Sequence, residues 1–168
     1  YYDDFYFFRN RVYSDIERPF ASIDPIVEVK RLVNSLNFDV SNIHFDIENR
    51  KKKYPSPICF FVEVPSDIRI LYKSESPYFD FQGCFHETGH AIHATSVDKN
   101  SSYSDKYRIP MGVAEIFSIF LERLTHNRSY LSYLRSKGKL DIEIDKIIAK
   151  NNFMELFFIV FYIANSLM

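Results

Sequence analysis

Residues 84 to 93 read Cys84-Phe85-His86-Glu87-Thr88-Gly89-His90-Ala91-Ile92-His93, and the pentapeptide His86 to His90 inside them decides how the rest is read. On an α-helix two residues four apart are rotated by about 400°, so the imidazoles of His86 and His90 leave one face and can reach a single metal ion. Glu87 is turned away from the line joining them, which sets its carboxylate beside a bound metal's open position rather than on the metal. Three fixed positions in five arise by chance in roughly one chain of this length in a few hundred, so the surroundings must decide.

Those surroundings supply a helix and a third ligand. From Tyr78 to Val97 apolar residues fall at Phe81, Cys84, Phe85, Ala91, Ile92 and Ala94, with Pro77 as a start signal, which predicts a helix. A catalytic zinc keeps three protein ligands and leaves one position for water or substrate. The segment Pro110 to Glu122 predicts a second helix, and Glu115 lies among its apolar residues, where a carboxylate is costly unless paired or metal-bound. Glu115 follows His90 by 25 residues, enough to end one helix, cross the polar loop Asp98 to Asp105 and return. It is the expected third ligand. Gly89 inside a helix costs about 1 kcal/mol relative to Ala and calls for a packing reason. Gly89, Ala91 and Ala94 facing Gly112 and Ala114 would let the two helix backbones approach closely.

The stretch Cys84 to His93, followed by Gly112-Val113-Ala114-Glu115-Ile116-Phe117-Ser118, resembles the catalytic core of the M3 metallopeptidases, the relatives of thimet oligopeptidase and oligoendopeptidase F. Upstream, Glu48-Asn49-Arg50-Lys51 to Cys59-Phe60 and the run to Tyr72 are similar to the small sheet that precedes the active-site helix there. The resemblance covers Phe45 to Leu124. It implies His86, His90 and Glu115 as ligands of one zinc ion, Glu87 as general base, a gluzincin-like core, and short peptides as substrates. In that family a further helical segment supplies a His/Tyr-rich motif that binds substrate and stabilises the oxyanion. This chain ends 53 residues after Glu115, and Asn151 to Met168 holds no such motif. An excerpt of a longer chain or a minimal relative is therefore expected, and the opening at Tyr1 favours an excerpt. The rival reading is a catalytically inactive zinc-binding fragment, or a structural or interaction domain that keeps the metal core.

Composition frames the site. At 168 residues the chain is expected to form one domain spanning 1–168. Its 46% hydrophobic content, with 17 Phe and 12 Tyr, excludes intrinsic disorder. With 21 basic against 22 acidic residues, no nucleic-acid partner is expected. The basic run Arg50-Lys51-Lys52-Lys53 reads as a solvated turn. Cys59 and Cys84 lack C-x-x-C spacing and read as reduced packing residues. No basic-then-apolar leader opens the chain, so a cytoplasmic location is expected. The apolar tract Phe153 to Met168, interrupted by Glu155 and Asn165, reads as too short for a membrane span and as a buried helix. It is apolar nearly all round, which points to a second copy or a missing chain segment as its cover.

The period of the pattern divides the chain. Residues 1–37 read as two helices, the second opened by Asp24-Pro25 and carrying Ile26, Val29, Leu32, Val33 and Leu36. Within 38–77, Ile43 to Glu48, Ile58 to Val64 and Ile68 to Tyr72 read as three short antiparallel strands, and 78–168 is helical again. The fold class is α+β, predominantly helical, with a small sheet whose exposed edge can pair with an extended peptide.

Other candidates are weaker. His93, three residues after His90, lies near the ligand face. Glu122, seven after Glu115, could orient a ligand imidazole or pair with His126. An oxyanion donor, needed beside a metal, would come from Tyr103, Tyr107 or His126.

Overall fold

The structure, a computed structural model, describes residues 2–48, 50–74 and 76–166, with side chains from residue 7. Among these, the helices are α1 (Tyr2–Tyr13), α2 (Glu17–Phe20), α3 (Pro25–Ser35), α4 (Pro77–Thr95), α5 (Tyr103–Tyr107), α6 (Met111–Leu124), α7 (Arg128–Ser136) and α8 (Ile144–Ser166). The strands are β1 (Ile43–Asp46), β2 (Ile58–Glu63) and β3 (Asp67–Leu71). Asn49, within the stretch that resembles the family's sheet, and the final Leu167 and Met168 lie outside the described residues. The described residues pack as two compact units, one of 23–125 and one formed by 1–22 with 126–168.

In the 23–125 unit, α3 starts where expected. Asp24 stays extended and its carboxylate accepts hydrogen bonds from the N–H groups of Ile26 (2.9 Å) and Val27 (3.1 Å), while Pro25 supplies the first helical φ. Val29 and Val33, one turn apart, are then fully buried. Before α3 lie two helical segments where one was expected, because the short turn α2 follows α1 and buries Phe20.

The sheet corrects one expectation. Its order is β1-β3-β2, with β2 antiparallel to β3 but β1 parallel to β3, so the sheet is mixed rather than all antiparallel. Successive strands reverse direction, as expected; β1, however, pairs with the far side of β3 instead of with β2, which makes that pair parallel. The arrangement leaves β2 with a free outer edge. Ile68 and Ile70 of β3 point into the core and are fully buried.

The basic run between β1 and β2 is only partly solvated. Lys51 and Lys52 are exposed, but Lys53 folds inward. Its ammonium donates to the carbonyls of Asp46 (2.6 Å) and Glu48 (2.8 Å) and to Asp46 Oδ1 (3.1 Å), which meets the hydrogen-bonding needs of a buried cation. Arg50 pairs with Asp46 and Glu48. Cys59 and Cys84 are free thiols; burial pushes both far above the usual thiol range, as expected of packing residues.

In the other unit, Phe8 of α1 packs on Phe157 (4.7 Å) and Phe153 (6.0 Å) of α8, and the Tyr13 hydroxyl donates to Asn151 Oδ1 (3.1 Å). Leu131, Leu134 and Ile147 are fully buried. Asn127 caps α7 by accepting from Ser129 N–H (3.0 Å), and Gly138 takes the positive φ of +67° that ends it. The C-terminal tract departs from the buried helix expected of it. It begins earlier, at Ile144, and buries only Ile147, Asn151 and Met154, while Phe153, Leu156, Ile159, Val160, Tyr162 and Ile163 stay exposed. At 23 residues α8 is, by length and composition alone, long and apolar enough to cross a membrane, which the shorter tract was not.

Candidate metal centre and active site

Helix α4 carries the motif because its start is fixed. Pro77 sits in the first turn, and the Asp80 carboxylate accepts from Ser74 Oγ (2.6 Å) and from the backbone N–H of Ser76 (3.3 Å). Tyr78, Phe81, Cys84, Phe85, Thr88, Ala91 and Ile92 recur at helical spacing and are buried, against α3, β2, β3 and α6. Such a register leaves His86 and His90 together on the remaining face, their rings 5.0 Å apart.

Opposite them, α6 crosses α4 at Gly89. A Cβ there would lie 2.6 Å from the Phe117 carbonyl carbon and closer still to its oxygen and to Ser118 Cα, so only glycine lets the backbones meet. Gly112 has no such role, since a Cβ on it meets nothing within 4 Å. The close crossing brings Glu115 over the histidines. Its Oε2 lies 3.5 Å from His86 Nε2 and 3.6 Å from His90 Nε2, and one donor atom from each residue falls within 4.8 Å of the others. Tetrahedral zinc with bonds of 2.0–2.2 Å holds neighbouring ligand atoms about 3.3–3.6 Å apart, which the two Nε2–Oε2 distances match.

The far side of each ring fixes its tautomer. His86 Nδ1 lies 2.7 Å from Glu122 Oε2, and His90 Nδ1 lies 3.1 Å from the Ala114 carbonyl oxygen. Both partners are acceptors, so each neutral imidazole carries its proton on Nδ1 and turns the Nε2 lone pair toward Glu115. Two lone pairs and a carboxylate oxygen then face one point, a donor set suited to a cation. Burial lowers the pKa of His86, but the Glu122 hydrogen bond and the charges of Glu122, Glu87 and Glu115 outweigh it and the net shift is upward. Burial, and then the charge of His86, hold His90 below its ordinary value.

Glu87 stands beside this cluster. Burial pushes its pKa up to about 7, against the lowering pull of His86 and of a hydrogen bond from the Cys59 backbone N–H. Cys59 belongs to β2, one of the sheet's two edge strands, so it is an edge strand that meets the glutamate.

The remaining candidates divide. His93 stacks on Phe117 (5.2 Å between centroids) and is outside the His86–His90–Glu115 cluster. Glu122 bonds His86 rather than His126. His126 belongs to the other compact unit, where its Nε2 lies 3.3 Å from Glu155. Tyr103 is exposed and packs on Tyr107 (4.9 Å), whose hydroxyl accepts from the Val64 N–H (3.0 Å). Three groups had no place in the sequence reading: the Ala114 carbonyl, the Cys59 N–H and Ser118. The first two are backbone and leave no residue-type signal; Ser118, three residues after Glu115, was legible as a helical neighbour.

Residues 24–164 match the model of peptidase family M3, most of the chain, and the chain belongs to that family. Among curated proteins none matches significantly. The fold resembles that in the crystal structure of the M32 carboxypeptidase from Deinococcus radiodurans R1, with a TM-score of 0.52 and 17% identity, covering 80% of this chain and 25% of that one. It also resembles the structure titled "The Structure of CHT", with a TM-score of 0.51 and 15% identity over 87% of this chain and 34% of that one. The chain thus spans about a quarter to a third of these structures.

Proposed function

We propose that this chain is the zinc-binding catalytic core of a metallopeptidase, with His86, His90 and Glu115 as the metal ligands and Glu87 as general base. The observation that carries the proposal is the convergence of two imidazole lone pairs, each fixed by an acceptor on Nδ1, on one oxygen of Glu115. A zinc ion bound there supplies a Lewis acid for the scissile carbonyl and lowers the pKa of water toward neutrality.

The chain's own residues do the rest. Glu87, with a pKa near 7, is poised to accept a proton from water and to return it to the leaving amine. The Cys59 N–H holds the Glu87 carboxylate in place, and Glu122 holds the His86 ring. The free edge of β2 offers backbone hydrogen bonds to an extended peptide beside Glu87. Short peptides are the substrates that family membership favours.

Peptide cleavage by wild type and Glu87→Gln, with zinc measured in both, tests the mechanism. Turnover in the wild type and a drop of at least about 100-fold in Glu87→Gln, at equal zinc content, is expected; equal turnover would remove Glu87 from the chemistry. The second reading is an inactive zinc-binding fragment. It predicts zinc in the wild type without turnover.

A further inference from the structure

Ser118 has no part in the ligand set or the proton transfer, yet it touches the oxygen on which both histidines converge. Its hydroxyl lies 2.6 Å from Glu115 Oε2 and 3.0 Å from the Glu115 carbonyl oxygen. Both partners are acceptors and a hydroxyl has one proton, so the two contacts compete. A serine that merely bonds back to the preceding turn of its helix would favour the carbonyl. Here the carboxylate contact is the shorter, in the range of a charge-assisted O–H···O⁻ bond.

The surroundings leave the hydroxyl no other role. Ser118 is completely buried, and its Cα is among the atoms nearest to the missing Cβ of Gly89. It therefore sits in the crossing of α4 and α6, one residue along the motif from His90. The absent side chain lets the helices meet over the serine, and the spacing of α6 itself, three residues on, sets its hydroxyl beside the Glu115 carboxylate. A glutamate reaches its target through three rotatable bonds, and an unheld carboxylate samples several orientations at entropic cost.

We infer that Ser118 is a positioning residue for the metal centre: its hydroxyl fixes the Glu115 carboxylate so that Oε2 faces His86 Nε2 and His90 Nε2 before a metal arrives. The inference rests on the assignment of Glu115 as a ligand. It implies that the third ligand has an oriented partner as the two histidines do, with Glu122 on one ring, the Ala114 carbonyl on the other and Ser118 on the carboxylate.

The test uses metal-free wild type, Ser118→Ala and Glu115→Gln, each titrated with Zn²⁺ against a chromophoric chelator and then loaded with Co²⁺ for its visible absorption bands. Alanine is the best helix former and removes one oxygen atom, so the variant folds, and thermal melting of the metal-free proteins verifies this. Loss of such an outer partner typically costs 10–100-fold in metal affinity, and Ser118→Ala is expected to bind Zn²⁺ at least about tenfold more weakly. Its Co²⁺ bands should also shift in position and intensity as the carboxylate turns. An unchanged Zn²⁺ affinity and superimposable Co²⁺ spectra in Ser118→Ala, while Glu115→Gln loses the metal, would overturn the role of Ser118 and leave the ligand assignment standing. A wild type that binds no Zn²⁺ would overturn the ligand assignment itself, and the role of Ser118 with it.

Discussion

Glu87 is a carboxyl group in a place that disfavours its charge, and the metal-free protein should show the consequence. Its folded-state pKa is raised to about 7, so it contributes no penalty below the ordinary carboxylate range and a growing one as pH rises from there through 7. Metal-free wild type is therefore expected to lose on the order of 1–3 kcal/mol between pH 5 and pH 8 relative to Glu87→Gln, measured by urea unfolding at both values. Parallel pH dependence in the two proteins would show that the carboxyl is well solvated. At the same scale, Glu122 lies 2.7 Å from His86 Nδ1, and under the proposed ligand set it would act on the metal through that ring. Glu122→Gln weakens the acceptor on Nδ1 and is expected to lower zinc affinity about 10-fold or more, read by chelator competition. The shared face of His86 and His90 was legible because side-chain direction on a helix follows from spacing; Glu115 was singled out by its apolar neighbours, yet Val113, Ile116 and Phe120 are exposed. Glu122 was legible as a residue on the right face but not as a partner of His86, because its choice between His86 and His126 depends on where α6 lies over α4.

The helix crossing belongs to the next scale. Gly89 was legible as a packing glycine because a helix interior otherwise tolerates it poorly; Gly112 gave the same signal and has open space around it. The difference lies in which face of α6 turns toward α4, which no local pattern states. Gly89→Ala is expected to cost about 1–3 kcal/mol in chemical denaturation because the added methyl meets backbone rather than a movable side chain. Gly112→Ala should be neutral or stabilising by less than about 1 kcal/mol. Equal effects at the two positions would contradict the close approach. The strands were legible, β1 from its alternation, β2 from its β-branched and aromatic residues and β3 from the turn before it, as was their number. Their pairing was not, since β1 beside β3 rather than β2 is settled by long-range packing. That choice leaves β2 at the sheet's edge, where the Cys59 N–H reaches Glu87.

Over the molecule, the two compact units distribute their apolar surface differently. The 23–125 unit encloses α4 between the sheet, α3 and α6 but leaves Met111, Ile116 and Phe120 of α6 exposed, and α8 in the other unit leaves a longer apolar face open. The all-round apolar character of this tract was legible and pointed to a cover; its exposure was not, because composition alone cannot tell a core helix from an uncovered one. Leu156→Lys with Val160→Lys, both on exposed positions, should reduce concentration-dependent association in sedimentation velocity and leave metal content unchanged. Association that survives the double substitution would place the sticky surface elsewhere.

Metal content after exhaustive dialysis bears most directly on the centre that unites these scales. Wild type is expected to retain one zinc per chain and Glu115→Ala to lose it, with His86→Ala and His90→Ala behaving alike. Wild type without stoichiometric metal, or Glu115→Ala retaining it in full, would contradict a centre built from His86, His90 and Glu115.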